Sequence, residues 1–197
     1  MASSTGQRSA ARLDAAVWVE AALAAIGRGG IAAVAVEPLA AELGVTKGSF
    51  YWHFDSRDAL LSAAMDRWEA LATHAVIAAS EQAASPRARL ERLLSIVLRP
   101  APEDEIEAAI LGAPDDPIVS PAVRRVTEQR LAHLVSLFRD VGFARPVAVR
   151  RSHTAYAAYI GLLRLERQEP TSRSIRSSRT YMDELIEMLC AGGDAGR

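Results

Sequence analysis

Apolar residues in this chain recur at three- and four-residue spacing in segment after segment, and nowhere alternate with period two over a strand's length. That periodicity is the main sequence signal of amphipathic helices. Val19, Ala22, Leu23 and Ile26 stripe a first helix over 12–29, which Gly27, Gly29 and Gly30 stop. Glu37 to Leu43 is a short second helix, with Pro38 in the first turn, where amides lack intrahelical partners anyway. Gly44-Val45-Thr46 interrupts, and Thr46 is positioned to cap a two-turn third helix from Lys47 to Phe54. Ser56 caps a long helix from Arg57 toward Gln82, along which Leu60, Leu61, Ala64, Trp68, Leu71 and Ala75 keep helical spacing.

The same signals continue. Ser85-Pro86 opens a helix that runs to Pro100, and Glu103 to Leu111 forms a short acidic one. Ser120-Pro121 opens another that Gly142 ends, Pro146 opens one to about Arg167, and Ser174 to Cys190 is the last. The expected fold is all-α, with about nine helices. It divides into an arm (1–11), an N-terminal helical domain (12–72), a C-terminal helical domain (73–190) and a tail (191–197); the arm and tail are expected to be disordered.

Composition narrows the classes. Half of the 197 residues are hydrophobic and 38 are Ala, the strongest helix former, which excludes wholesale disorder. No stretch approaches the ~20 apolar residues of a membrane span. Met1 to Gln7 is small and polar, so no secretory leader and a cytoplasmic protein are expected. One cysteine, Cys190, leaves no intramolecular disulfide framework. The net charge of -1 hides a pattern: neutral over 1–57, -6 over 58–117, +8 over 118–180 and -3 thereafter. Such a balance argues against indiscriminate coating of nucleic acid but leaves room for a local site.

That site is sought at 35–54. Two short helices joined by a three-residue turn containing Gly is the helix-turn-helix pattern. Leu39, Leu43, Val45, Phe50 and Phe54 supply an inner face, and the outer face of the third helix shows Thr46, Lys47, Ser49, Tyr51, Trp52 and His53. A helix of this kind fits the DNA major groove. Lys47 and Thr46 can donate to bases or phosphates, Tyr51, His53 and Arg57 to phosphates, and Trp52 can cover sugar or a thymine methyl. The N-terminus of the next helix adds amide donors at Ser56-Arg57.

Arg12-Leu-Asp14, Gly30-Ile31, Leu39-Ala40, Leu43-Gly-Val-Thr-Lys-Gly-Ser-Phe-Tyr-Trp-His-Phe54 and Arg57-Asp-Ala-Leu-Leu61 resemble the TetR family of transcriptional regulators. The resemblance is specific over roughly 12–72 and adds Arg12 and Gly48 to the expected DNA contacts. It implies a homodimer that binds a palindromic, double-stranded operator and releases it when a small molecule enters the C-terminal domain. The chain departs from the family in having Val34, Ala35 and Val36 where Ser or Thr precedes the second helix. A missing N-cap costs about 1 kcal/mol.

The C-terminal half is read for the other two functions. Val149, Tyr156, Ile160 and Leu163 form one stripe of the helix from Pro146, and Ala148, Ala155, Ala158, Leu162 and Leu165 a second. A helix apolar on two sides is buried on two sides, and a symmetry mate is the expected second cover. Ile175, Met182, Leu185, Ile186 and Leu189 on the last helix match it. The expected ligand pocket is lined by Trp68, Ile77, Leu94, Leu98, Ile110, His133, Leu134, Phe138, Tyr156 and Tyr159, for a mostly apolar inducer.

The scattered His74, His133 and His153 and the lone Cys190 give no metal-ligand spacing, so no metal and no cofactor are expected. The acidic run Glu103 to Glu107 is expected to be a solvated face. With no G-x-S-x-G, P-loop or G-x-G-x-x-G present, the chain is not expected to be an enzyme. The alternative to a ligand-responsive repressor is a small-molecule-binding helical adaptor that has lost DNA binding.

Overall fold

The computed structural model describes residues 14–169 and 171–192. The arm 1–11, Arg12 and most of the tail lie outside them. The described residues fold as α1 (Ala15–Gly29), α2 (Val36–Glu42), α3 (Lys47–Phe50), α4 (Arg57–Glu69), α5 (Ala75–Glu81), α6 (Pro86–Leu98), α7 (Asp104–Leu111), α8 (Val119–Asp140), α9 (Arg145–Gln168), α10 (Ser172–Ser177) and α11 (Arg179–Cys190), with no strand among them.

The expected helices are all present, and four differ in detail. The helix after Thr46 is a single turn, Lys47–Phe50, and Thr46 sits at its N-cap without any side-chain bond. Its Ser49 amide is satisfied by the Thr46 carbonyl, so the hydroxyl is not needed there. The helix expected to start at Ser120 starts at Val119 instead, because the Asp116 carboxylate accepts the Ile118 and Val119 amides and caps earlier. The stretch expected to be one helix from Ser174 to Cys190 breaks into α10 and α11 at Ser178, which is extended and caps the second of them. And the helix from Arg57 is not uniform: residues Ala70–His74 form a π-helical turn between α4 and α5. The extra residue shifts the buried face by one position. Leu71 is 42% exposed and Ala75 is exposed, while Thr73 and Ser80 are buried.

Ser56 and Ser85 cap as their sequences imply, accepting the amides of Ala59 and Ala88. Each such cap stabilises its helix by about 1 kcal/mol.

Two hydrophobic cores result. The first gathers Trp18, Ile26, Leu39, Phe50, Leu60, Leu61 and Met65 from α1–α4, and Ile110, Val119 and Val126 from α7 and α8 complete it. The core of the N-terminal helices thus continues beyond residue 72. Packing is close at the α1–α7 crossing: a Cβ on Gly27 would lie 3.0 Å from the Ile106 side chain. The second core joins Leu90, Leu94 and Leu98 of α6 to Leu134 and Phe138 of α8, Ala148, Ala155 and Leu162 of α9, and Met182, Leu185, Leu189 and Cys190 of α11.

Arg176 ties the second core to α7. Its side chain is fully buried. The guanidinium donates to the carbonyls of Val97, Leu98 and Arg99, which end α6 without intrahelical partners. It also pairs with Asp104 at 2.8 Å and Glu166 at 3.2 Å. Burial raises the Asp104 pKa despite the Ala101 amide and Arg176, which act to lower it. Removing one partner of a buried pair leaves uncompensated charge, at about 3–5 kcal/mol. Arg176→Ala is therefore expected to lower the melting temperature by roughly 10 °C. A thermal melt by circular dichroism that moved by only one or two degrees would contradict this.

Candidate nucleic-acid interface and internal cavity

The turn between α2 and α3 is fixed by backbone chemistry. Gly44 has φ +68, in the left-handed region that favours glycine. The Val45 amide donates to the Ala40 carbonyl and the Gly44 amide to Ala41, which closes α2 in a Schellman motif. Phe50 then anchors α3. It is wholly buried and meets Trp18 edge-on, with ring centroids 5.3 Å apart. Its neighbours point the other way: Tyr51 is 53% and Trp52 75% exposed. Thr46, Lys47 and Gly48 are exposed beside them, and Ser49 and His53 half-buried. The structure thus gathers all seven of these sequence-selected residues on or beside one short helix.

Two selected cations have partners inside the protein. Lys47 pairs with Glu37 across the turn at 2.8 Å, both exposed. This hydrogen bond lowers the Glu37 pKa and raises that of Lys47. Arg57 is half-buried, with its Nε donating to the Val34 carbonyl at 2.8 Å and its Nη2 to Ile31 at 2.9 Å. Val34 opens the segment that lacks a Ser or Thr cap before α2, and Ile31 begins the 3-10 turn that leads into it. The Arg57 guanidinium therefore holds that segment against α4, a structural task in addition to the phosphate contact expected of it.

A cavity of about 50 Å³ lies between the π turn and α5 on one side and α6, α8 and α9 on the others. Six selected residues line it: Ile77, Leu94, His133, Leu134, Tyr156 and Tyr159. Four do not. Ile110 is spent in the first core, and Leu98 and Phe138 in the second. Trp68 faces a neighbouring groove of about 320 Å³, which shares Ala72, Val76, Val97 and Tyr159 as a partition with the cavity.

Sequence reasoning passed over the polar wall. Arg130 lines the cavity, donating through Nε to the Thr73 hydroxyl at 3.0 Å and through Nη2 to the Ala72 carbonyl at 3.1 Å. Its charge is answered by Glu107, which is 3% exposed and also accepts the Trp68 indole N–H at 2.6 Å. Glu107 and Asp104 therefore correct the reading of 103–107 as a solvated face. The signal was present: Arg130 falls midway between Val126 and Leu134 on one stripe of α8, and Glu107 lies one turn before Ile110. Burial opposes the charge on Arg130, but the Glu107 carboxylate more than offsets this and raises its pKa. Burial lowers the His133 pKa and raises that of Tyr159 well above the ordinary value. Among the described residues no group of three His, Cys, Asp or Glu could hold a metal.

Residues 19–64 match the sequence model of the bacterial regulatory proteins of the tetR family. Over these residues the chain is similar to that family. Solved structures share the fold along nearly its whole length. A transcriptional regulator from Rhodococcus sp. Rha1 superposes with TM-score 0.77 at 19% identity, over 94% of this chain and all of that one. A transcriptional regulator from Saccharomonospora viridis in complex with choline gives 0.70 at 20% identity, over 89% of this chain and 92% of the other. The regulator FadR from Bacillus subtilis in complex with stearoyl-CoA gives 0.66 at 12% identity, over 91% and 99%. No curated protein sequence matches the chain significantly. No helix among the described residues is long and apolar enough to cross a membrane.

The two hydrogen bonds from Arg57 to the Val34 and Ile31 carbonyls generate a prediction. Arg57→Ala is expected to cost about 1–2 kcal/mol, as charged hydrogen bonds to partly buried carbonyls do. Urea unfolding should show a lower midpoint with an unchanged slope. An unshifted midpoint would return Arg57 wholly to the solvent face.

Proposed function

We propose that the chain is a TetR-family regulator, a homodimeric repressor that holds a palindromic operator through α3 and releases it when a small molecule fills the internal cavity. The observation that carries the reading is that one rod serves both places. The N-terminus of α4 meets the helix-turn-helix at Ser56-Arg57, and residues 72, 73, 76 and 77 of the π turn and α5 line the cavity. A change in cavity volume moves the rod, and the rod carries α3. π turns inside helices recur at functional positions.

In this reading Thr46, Lys47 and Gly48 open α3 toward the bases, and Ser49, Tyr51, Trp52 and His53 contact backbone and thymine methyls. Arg12 joins them from the arm. The DNA-binding domain spans 12–72 and the ligand-binding and dimerisation domain 73–190. Dimer symmetry sets the two α3 helices about 34–36 Å apart, one turn of duplex. Exposed Leu165 and Met188, and open space around Gly161, favour α9 and α11 as the dimer seam. The relatives with choline and stearoyl-CoA support a small-molecule effector, of different chemistry in each.

The effector and the operator then oppose each other by one coupling free energy, so each weakens the other by the same factor, typically 5–150-fold. Selection from a random duplex library should return an inverted repeat, and sedimentation should give twice the 21.2 kDa chain mass. On the selected site Lys47→Ala should weaken binding and reduce the salt slope by about one unit, without shifting the melting temperature. A library that returned no enriched sequence would favour the adaptor reading instead.

A further inference from the structure

The cavity's walls say which chemical class it accepts, given the reading of it as the effector site. Most of the lining is aliphatic, from Val76, Ile77, Leu93, Leu94, Val97 and Leu134. The one full charge on it, Arg130, is already neutralised. Both Glu107 oxygens face its guanidinium, one of them at 3.3 Å, and the Glu107 carboxylate is filled by the Trp68 N–H as well. An anion entering here would have to take Arg130 from Glu107 and leave that carboxylate buried and half-answered. A cation would have to take Glu107 and leave Arg130 uncompensated. Either exchange buries an unpaired charge.

Two neutral hydroxyls have spare capacity. The Tyr159 hydroxyl makes no hydrogen bond among the described residues, and Thr73 accepts from Arg130 while its own proton has no acceptor among them. His133 is engaged: the Ser80 hydroxyl donates to the Ile77 carbonyl at 2.7 Å, so the 3.4 Å contact between Ser80 and His133 Nε2 uses the imidazole N–H. Both hydroxyls line the cavity, and their protons are donors waiting for one acceptor oxygen.

We infer that the effector is an uncharged, mainly hydrocarbon molecule carrying an acceptor oxygen, such as a ketone, ester or lactone carbonyl, seated against Tyr159. About 50 Å³ measured to water centres has room for roughly four waters, the bulk of a molecule of about seven or eight non-hydrogen atoms. Larger members of the class enter by displacing the partition toward the neighbouring groove.

The test uses three probes of equal size and different charge: 2-heptanone, hexanoate and heptylammonium, titrated near neutral pH into the intact, DNA-free protein. Nitrogen-15 spectra report on Trp68, whose indole N–H is one hydrogen bond removed from the Arg130–Glu107 pair. The expected result is that 2-heptanone moves the Trp68 indole resonance, leaves that of Trp52 in place, and binds at least tenfold tighter than either ion. Tyr159→Phe should weaken it about three- to tenfold, the range of one net hydrogen bond. Glu107→Gln, which frees the Arg130 charge, should turn the preference over to hexanoate. Hexanoate binding as tightly as 2-heptanone in the unaltered protein overturns the inference while leaving an effector-driven repressor intact. Absence of binding by all three overturns it as well, and operator release is then judged by its own titration.

Discussion

A carboxylate held almost wholly out of water has to have its charge answered, and Glu107 has it answered from two other helices at once. It receives the Trp68 indole from α4 and the Arg130 guanidinium from α8, while itself standing on α7. Arg130 in turn binds the Thr73 hydroxyl and the Ala72 carbonyl inside the π turn. Three helices and the irregular turn are thereby held at fixed relative positions by five hydrogen-bonding groups. Buried pairs of this kind add little net stability, because desolvation consumes most of the Coulombic gain. What they impose is geometry, since any other arrangement leaves a bare charge in the interior.

That geometry lies where the two cores meet. On one side α7 packs against α1 so closely that Gly27 has no room for a side chain of ordinary size without movement of Ile106. On the other side Arg130 forms part of the cavity wall. The cavity and the helix-turn-helix are therefore joined twice, through the rod of α4 and α5 and through α7 against α1. Dispersion and close packing transmit displacement along such contacts because protein interiors compress little.

Much of this was legible. Helical spacing, Gly and Pro punctuation and the Ser caps at 56 and 85 placed nearly every helix. The outer face of α3 followed from which residues its inner stripe left over. Six of the ten selected residues line the cavity, from α5, α6, α8 and α9. What failed has two physical causes: a competing local cap, and interactions from distant segments that overrode local pattern. Asp116 caps α8 ahead of the more conventional Ser120-Pro121. The ends of α10 are settled by Arg176 reaching carbonyls more than seventy residues away. Glu103 to Glu107 reads as solvated unless one knows that Arg130 waits opposite Glu107. Charged residues on apolar stripes, at 107 and 130, are the clue that such partners exist.

The π turn at 70–74 has a consequence for how one helix can face two surroundings. Each residue of an α-helix advances the chain by about 100° and 1.5 Å. A turn holding one residue more than its neighbours therefore resets the register of everything after it. Upstream, residues 60, 61, 64, 65 and 68 face inward; downstream it is 73, 76, 77 and 80. An uninterrupted helix would have carried Leu71 and Ala75 inward and turned Thr73 away from Arg130. The irregular turn acts as a splice between two phases, so the length of the rod can be read by the DNA-binding helices in one phase and by the cavity in the other.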